Sequence, residues 1–246
     1  MSAPRHLRAI VVGRQDYGEA DRILRLLTAE LGRVSVLARH ARKSRKRYGG
    51  RLDLGNVLEI GMKRGRGELY LLTDCELHAG HPHLRSDLYR ISLAGYACEL
   101  CGGLAQEDRP EPRLFGLLEV ALLVLEACTS GPGLAFRAGL EAKALTFAGL
   151  TPSLERCAVC DEGLEAPLVW SPSAGGAVHR HCGEGEGVEP GWVEALEAAR
   201  RTPLRELVDR PLPPGPRWGL HELLTWQVGR PLKSAEVLAA VEPGPG

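Results

Sequence analysis

The chain has 246 residues, of which 44% are hydrophobic and 25% are charged, a composition typical of a globular protein with a full core. No run of eighteen or more apolar residues occurs, which argues against a membrane-spanning helix. The start, MSAPRHLRAIVV, lacks the long apolar segment of a secretory signal, so we expect a cytoplasmic protein.

The formal net charge of zero conceals an uneven distribution along the chain. Residues 1–80 hold 16 Lys and Arg against 9 Asp and Glu, whereas the remainder holds 15 against 22. A basic part joined to an acidic part indicates a polyanionic partner for residues 1–80. The acidic part either faces basic proteins or only keeps the molecule soluble.

Residues 7–80 carry the pattern of short β-strands. The clearest is Val34-Ser35-Val36-Leu37, which alternates apolar and polar residues as a half-buried strand does. The predicted strands lie at 7–12, 23–27, 34–37, 56–61 and 68–72. Five strands predict a small barrel for residues 1–80, with an OB-fold as the leading interpretation and an SH3-like barrel as the alternative.

From Ser86 onward the apolar residues recur at helical spacing, with Ser86 itself as the expected helix cap. The predicted helices cover 86–102, 113–127, a third segment ending near 149, 192–201, 203–208, 220–228 and 234–241. We therefore expect an α+β multi-domain protein, with an N-terminal five-stranded OB-fold β-barrel and an α-helical domain at 81–246. A zinc-binding element is expected at about 153–188.

That element rests on the motif Cys157-Ala-Val-Cys160, followed after a loop by His179-Arg-His-Cys182. Two close ligand pairs let Cys157, Cys160, His179 and Cys182 converge on one tetrahedral Zn²⁺. His181 competes with His179, which has the same two-residue gap as the first pair. A filled shell of four ligands predicts a structural metal. A site that has lost its metal and a redox pair are the alternatives.

The other cysteines are expected in the core. Cys98 and Cys101 have the same spacing as a ligand pair, but they lie within an apolar helical pattern without a second pair nearby. Free cysteine in such a setting behaves as a small hydrophobic residue. The isolated Cys75 and Cys128 are interpreted in the same way.

Two basic segments are the candidate DNA-binding elements. The first covers residues 39–47 with Arg51 just beyond it, the second covers residues 63–66, and neither contains an acidic residue. Together with Arg14 they predict one cationic surface that binds phosphates, although a solvated loop without a ligand is the alternative. The predicted DNA-binding residues are Arg14, Arg39, Arg42, Lys43, Arg45, Lys46, Arg47, Arg51, Lys63, Arg64 and Arg66.

Aromatic residues are scarce in this part of the chain, where only Tyr17, Tyr48 and Tyr70 occur. Proteins that hold single strands tightly stack bases on aromatic side chains. We therefore expect mainly electrostatic binding of both single- and double-stranded DNA, with an affinity that falls steeply with salt. Catalytic signatures such as GxxxxGK[ST], GxSxG and HExxH are missing, so we expect no enzymatic activity.

Residues 17–37, YGEADRILRLLTAELGRVSVL, place a glycine and a glutamate before an apolar strand, followed by a threonine and a glycine turn, and the next segment, ARHARKSRKR, contains the pair Lys43-Ser44. These two segments resemble the opening and the basic loop of the RecO family of bacterial recombination mediators. Gly175-Gly176 and the late GRPLKS segment at 229–234 are also similar. The family's usual third zinc ligand is a cysteine, whereas this chain has His179.

The resemblance implies an OB-fold, a helical domain with a zinc element, and a nucleoid-associated protein of bacteria. It also implies annealing of complementary strands and loading of recombinase onto DNA coated by single-strand DNA-binding protein, with RecR and that coating protein as partners. An RNA-binding or ribosome-associated OB-fold/zinc module is the alternative, and a zinc-dependent or redox enzyme is the third hypothesis.

Overall fold

Contacts between residues divide the computed structural model into two units, residues 1–127 together with 237–246, and residues 128–236. The structure describes residues 5–44, 48–65, 67 and 69–242. The first unit includes the two helices that follow the barrel, so this division does not coincide with the expected boundary after residue 80. That boundary stays a prediction.

The first unit begins with a closed five-stranded barrel, as the strand pattern predicted. Its strands are β1 (Arg5–Tyr17), β2 (Asp21–Thr28), β3 (Gly32–Ala38), β4 (Val57–Arg64) and β5 (Tyr70–Ala79). The order around the barrel is β1-β2-β3-β5-β4, and β4 pairs with β1 to close it. The pairing of β3 with β5 is parallel and all other pairings are antiparallel, which is the arrangement of an OB-fold.

Alternating side chains fill the interior of this barrel. In β3, every second residue from Gly32 to Ala38 is buried, as expected for a strand with one face toward a core. The loop between β3 and β4 contributes Tyr48 and Leu52 to the same apolar cluster. The loop is therefore anchored at its C-terminal part, while its N-terminal part carries the basic residues.

A 3₁₀ turn at Pro82–Ser86 leads into helices α1 (Leu88–Leu104) and α2 (Pro112–Ala127). The cap of α1 is Asp87, whose carboxylate accepts a hydrogen bond from the backbone N–H of Arg90. The expected cap, Ser86, is wrong by one residue, because its hydroxyl donates instead to the carbonyl of His83. Helix α1 packs on β1, where a side chain at Gly102 would lie 2.8 Å from Val12.

The buried cysteines confirm the interpretation as core residues. Cys98 and Cys101 lie in α1 with no exposed surface, and Cys75 is 5% exposed in the barrel. Burial raises the pKa of the Cys98 thiol to about 12. Cys128 differs from the expectation because it is only partly buried.

The second unit contains helices and a small sheet. The helices are α3 (Leu134–Phe147), α4 (Pro190–Arg201), α5 (Gly219–Val228) and α6 (Lys233–Val241), with a 3₁₀ turn at Leu204–Leu207. The division between the units falls within α6. The sheet consists of β6 (Leu168–Ser171), β7 (Gly176–His179) and β8 (Glu186–Val188) in the order β7-β6-β8. Within the described ranges, no helix is long and apolar enough to cross a membrane.

Close packing of α3 in this unit predicts a measurable effect of one methyl group. A Cβ atom at Gly139 would lie 2.3 Å from Leu207 Cδ1 and 3.1 Å from the carbonyl oxygen of Ala199. Gly139→Ala should therefore lower the free energy of unfolding by about 1–3 kcal/mol through overpacking.

The matched control is Gly116→Ala in α2, where an added Cβ meets no atom within 4 Å. This change should raise the free energy of unfolding by about 0.5–1 kcal/mol, because alanine is the better helix former. Chemical denaturation measures both values. Equal effects of the two substitutions would contradict the close packing at Gly139.

Candidate nucleic-acid interface and metal centre

Backbone pairing in the second unit brings the two halves of the cysteine motif together. Ser153 lies against Gly176, where an added Cβ would be 2.4 Å from the Ser153 carbonyl oxygen, so only glycine fits. The pairing continues as the backbone N–H of Ala158 donates to the carbonyl of Ala177 at 3.0 Å. The turn with Cys157 is thereby held beside β7, which ends at His179.

The four expected ligands form one cluster. The Sγ atoms of Cys157, Cys160 and Cys182 and a ring nitrogen of His179 all lie within 4.8 Å of one another. The Nδ1 atom of His179 is 3.5 Å from Cys160 Sγ and 3.8 Å from Cys182 Sγ. In a tetrahedral zinc shell, a sulfur and a nitrogen ligand are about 3.6 Å apart. The donor set and its spacing therefore fit Zn²⁺.

His179 is oriented for this role by its second nitrogen. Its Nε2 lies 2.9 Å from the carbonyl oxygen of Gly163. Because a carbonyl only accepts, Nε2 must donate, which leaves the lone pair of Nδ1 directed to the sulfur atoms. The longer 3.4 Å approach of the Glu165 N–H to Nε2 cannot also be a hydrogen bond in this tautomer. His181 stacks on His179 at 5.2 Å and lies outside the cluster.

The thiols of the cluster have unlike acidities. Burial opposes ionisation of Cys157, but the backbone N–H groups of Cys160, Val159 and His179 stabilise the thiolate and lower its pKa to about 6. Burial and the two neighbouring sulfurs raise the pKa of Cys182 to about 11. Three thiolates this close repel one another, and a dication would remove that repulsion.

The basic loop after β3 supplies exposed cations at one end of the barrel. Arg39 and Lys43 are both exposed, and their side chains have no hydrogen-bond or ion-pair partner among the described residues. The loop is fixed by the backbone N–H of Arg42, which donates to the carbonyl of Ala20 at 2.9 Å. Within the described part of this loop, Arg39 and Lys43 are therefore the cations that are most available to an incoming phosphate.

Two other predicted cations are paired with acids. Arg42 lies 3.3 Å from Asp16, which also binds Arg22 at 2.9 Å. The hydrogen bond from Arg22 holds the pKa of Asp16 below its usual range. The Nη1 atom of Arg14 donates to Asp53 Oδ1 at 2.6 Å. Carboxylates thus already occupy part of the basic end of the barrel.

The second basic segment begins at the end of β4. Lys63 and Arg64 end β4, whereas the loop that begins at Arg39 leads into the start of β4. Across the barrel, however, Leu37 near the end of β3 pairs with Leu71, and Leu71 pairs with Lys63, so the start of the basic loop and the end of β4 are only two strands apart. At roughly 4.8 Å between neighbouring strands, this is about 10 Å. The expectation of one cationic surface stays a prediction.

The remaining predicted DNA-binding residues differ in placement. Arg51 is partly buried and donates to the carbonyl of Cys75 at 3.3 Å, which fixes the loop rather than leaving the cation exposed. Arg64 is exposed and lies 3.8 Å from Asp108. Arg45, Lys46, Arg47 and Arg66 lie outside the described residues.

Of the three barrel tyrosines, only Tyr17 is exposed, at 54%. Tyr48 is 2% exposed and Tyr70 is 7% exposed, with the Tyr70 hydroxyl donating to Asp108 at 2.9 Å. The described barrel surface therefore offers one exposed tyrosine ring for base stacking, so we expect phosphate contacts to dominate its binding capacity.

Sequence reasoning missed Arg85 and the two acids that bind the arginines. Asp53 contacts Arg85 at 2.6 Å through its second oxygen, so one carboxylate joins two arginines. Arg85 lies outside residues 1–80 and in no charge cluster, so no local signal marked it. Its position depends on the 3₁₀ turn that follows the barrel.

Comparison with known proteins defines the class to which this fold and site belong. The family model for the N-terminal domain of recombination protein O matches residues 1–81, and the model for its C-terminal domain matches residues 85–236. The chain is thus an OB-fold protein of DNA repair and recombination.

Individual relatives agree with the family models. The chain is 36% identical to the DNA repair protein RecO of Myxococcus xanthus over 95% of this chain and 96% of that one. It is 34% identical to the same-named protein of Pelobacter propionicus over 97% of each chain. A RecO of Anaeromyxobacter dehalogenans is 40% identical over 80% of this chain and 75% of its own. The chain belongs to the RecO family.

Proposed function

We propose that the protein binds single- and double-stranded DNA through the basic end of its barrel, anneals complementary strands, and helps load recombinase onto DNA coated by single-strand DNA-binding protein. The observation that carries the proposal is the exposed pair Arg39 and Lys43 on a loop anchored to an OB-fold. The expected partners RecR and single-strand DNA-binding protein are part of the same proposal and are supported by the family membership.

A surface of this kind suits annealing for a physical reason. Two strands repel each other through their phosphates, and cations on the protein reduce that repulsion. Contacts to phosphates leave the base edges free to pair, since phosphate contacts carry no sequence information. The scarcity of exposed aromatic rings supports this reading, because bases stacked on the protein would first have to be released. No bond is made or broken in annealing, so we propose no enzymatic activity.

For the metal centre we propose one structural Zn²⁺ held by Cys157, Cys160, His179 and Cys182. With all four positions filled by the protein, zinc supplies cross-linking of the loop rather than Lewis-acid chemistry. The residues around the cluster then have one task, which is to orient the ligands. The Gly163 carbonyl does so for His179, and the backbone N–H groups near Cys157 do so for its thiolate.

An annealing assay tests the proposed function. Complementary oligonucleotides of mixed sequence should pair at least about tenfold faster with the protein than without it, in the absence of ATP, and the gain should vanish at high salt. Fluorescence quenching between labelled strands measures the rate. A non-complementary strand is the control for aggregation.

Two outcomes would contradict the proposal. Failure to accelerate pairing while DNA is bound would exclude annealing. Tight binding of RNA with weak binding of DNA of the same sequence would favour the RNA-binding or ribosome-associated module instead.

A further inference from the structure

A cleft of about 340 Å³ lies in the first unit, between the end of the loop that joins β3 to β4 and helix α1. Its wall includes Arg14, Asp53, Leu54, His81, Arg85 and Ile91. The volume falls within the range of about 300–1,000 Å³ for small-molecule sites. Only Arg14 among these residues was a predicted DNA contact.

We propose that this cleft accepts one unpaired nucleotide of a single DNA strand, with its phosphate on Arg14 and Arg85 and its base against the apolar wall. The inference rests on the proposed DNA binding and deepens it by naming the kind of nucleotide that is bound.

The rim of the cleft carries the charge for a phosphate. The side chains of Arg14 and Arg85 remain 46% and 59% exposed, although each binds Asp53 at 2.6 Å. A guanidinium has five N–H donors, so one contact to a carboxylate leaves donors for a second anion. Two arginines and one aspartate leave a net positive charge at the rim.

The wall of the cleft is apolar and is open to solvent. Leu54 is 45% exposed and Ile91 is 41% exposed, and both side chains line the cleft. Gly95 of α1 widens it, because a Cβ atom there would meet only Leu54 Cδ2 at 3.8 Å. The flat face of a base would cover these apolar groups.

The third observation concerns His81, which lines the cleft and is 7% exposed. Among the described residues, neither of its ring nitrogens makes a hydrogen bond of good geometry, and the backbone of Gly55 makes only a minor polar contact with the ring. Buried polar groups without partners are rare and costly. A heterocyclic base that enters the cleft carries both donor and acceptor atoms that suit an imidazole.

The position of the cleft favours a nucleotide over an acidic peptide as its occupant. The loop that starts with Arg39 ends at the cleft wall with Asp53 and Leu54. A smaller hollow lined by Arg42 and Ser44 also has Asp53 in its wall, so the two depressions adjoin. A strand whose phosphates lie on the basic loop is therefore next to the cleft.

The test compares two strands that differ only in their bases. One is an oligo(dT) of about ten nucleotides, within the site size of an OB-fold, and the other has the same length but consists of abasic units. A fully abasic strand prevents the protein from sliding to an intact base. Fluorescence anisotropy should show that the protein binds oligo(dT) about fivefold to tenfold more tightly than the abasic strand.

Filling the cleft should remove this preference. Gly95→Leu should bring the ratio of the two affinities to about one, while binding of the abasic strand and of duplex DNA stays as in the unmodified protein. The matched control is Gly116→Leu in α2, where an added Cβ atom would meet no other atom within 4 Å. This variant should keep the ratio of the two affinities. Leu54→Gln, at an exposed position, gives a second variant that should lower the ratio without filling the helix interface.

The outcomes separate the two proposals. Equal affinity of the unmodified protein for both strands, or an unchanged ratio in Gly95→Leu, would overturn the cleft assignment and leave the DNA-binding function intact. A different outcome is that a short acidic peptide displaces oligo(dT) from the unmodified protein and from Gly116→Leu, but not from Gly95→Leu. That result would assign the cleft to a peptide. Failure to bind either strand would contradict the DNA-binding function and the cleft assignment together.

Discussion

Replacing Cys157 with serine should leave the protein without the proposed zinc and should unfold the loop that carries the four candidate ligands. Cys157 is the most buried of the three thiols, and its thiolate is the one that backbone N–H groups stabilise. Zinc contributes about 10–16 kcal/mol to the folding of small zinc-finger peptides. The loop at 153–188 is rich in glycine and has strands of only three or four residues, so it has little else to hold it.

Two measurements check this expectation. Metal content after dialysis should fall from one zinc per chain to none, and hydrogen exchange within 153–188 should become fast while the barrel stays protected. The matched control is His181→Ala, which removes an imidazole next to the cluster but outside it and should keep the metal. His179→Cys, which restores the ligand type usual in the family, should keep the metal too. Retained zinc and slow exchange in Cys157→Ser would contradict the structural role.

The second large effect is expected from removing the two exposed cations of the basic loop. The double variant Arg39→Ala, Lys43→Ala should bind DNA about tenfold or more weakly, and the slope of log affinity against log salt should become shallower by about two. The midpoint of unfolding should not change, because neither side chain has a partner among the described residues. Binding at several salt concentrations measures the slope.

Two further double variants complete this experiment. Arg205→Ala, Arg230→Ala removes the same charge from exposed positions of the second unit and should leave the affinity almost unchanged. Lys63→Ala, Arg64→Ala removes the same charge from the end of β4, two strands from the start of the basic loop, and shows whether DNA also contacts that part of the barrel. An unchanged salt slope in the Arg39, Lys43 variant would place the DNA-binding surface elsewhere.

The sequence predicted those features that depend on local pattern. Alternation in β3 predicted the face that lies inside the barrel, and helical spacing predicted that Cys98 and Cys101 are buried. The two-residue gaps of the cysteine motif predicted the clustered ligands, because a short gap places both side chains on the same side of a turn.

Features that depend on pairing between distant segments could not be predicted from the local sequence pattern. Strands β6 to β8 are too short and too rich in glycine to show a period, and they form only because they pair with one another. The contacts of Asp53 with Arg14 and Arg85 join three segments that are far apart in the chain. The approach of the end of β4 to the start of the basic loop likewise depends on the pairing of β5 with both β3 and β4.

The small sheet of the second unit has a consequence for how this unit responds to its metal. Trp170 in β6 stands edge-on to Trp192 of α4, with ring centroids 5.2 Å apart, and its indole N–H donates to the carbonyl of Gly219 at 2.9 Å. Both indoles are almost fully buried. Strand β6 pairs with β7, which ends at the ligand His179. Trp170 lies on β6, and Leu168 of the same strand pairs with the candidate ligand His179. Loss of the metal should therefore change the surroundings of the Trp170 indole, and its fluorescence reports whether the site is intact.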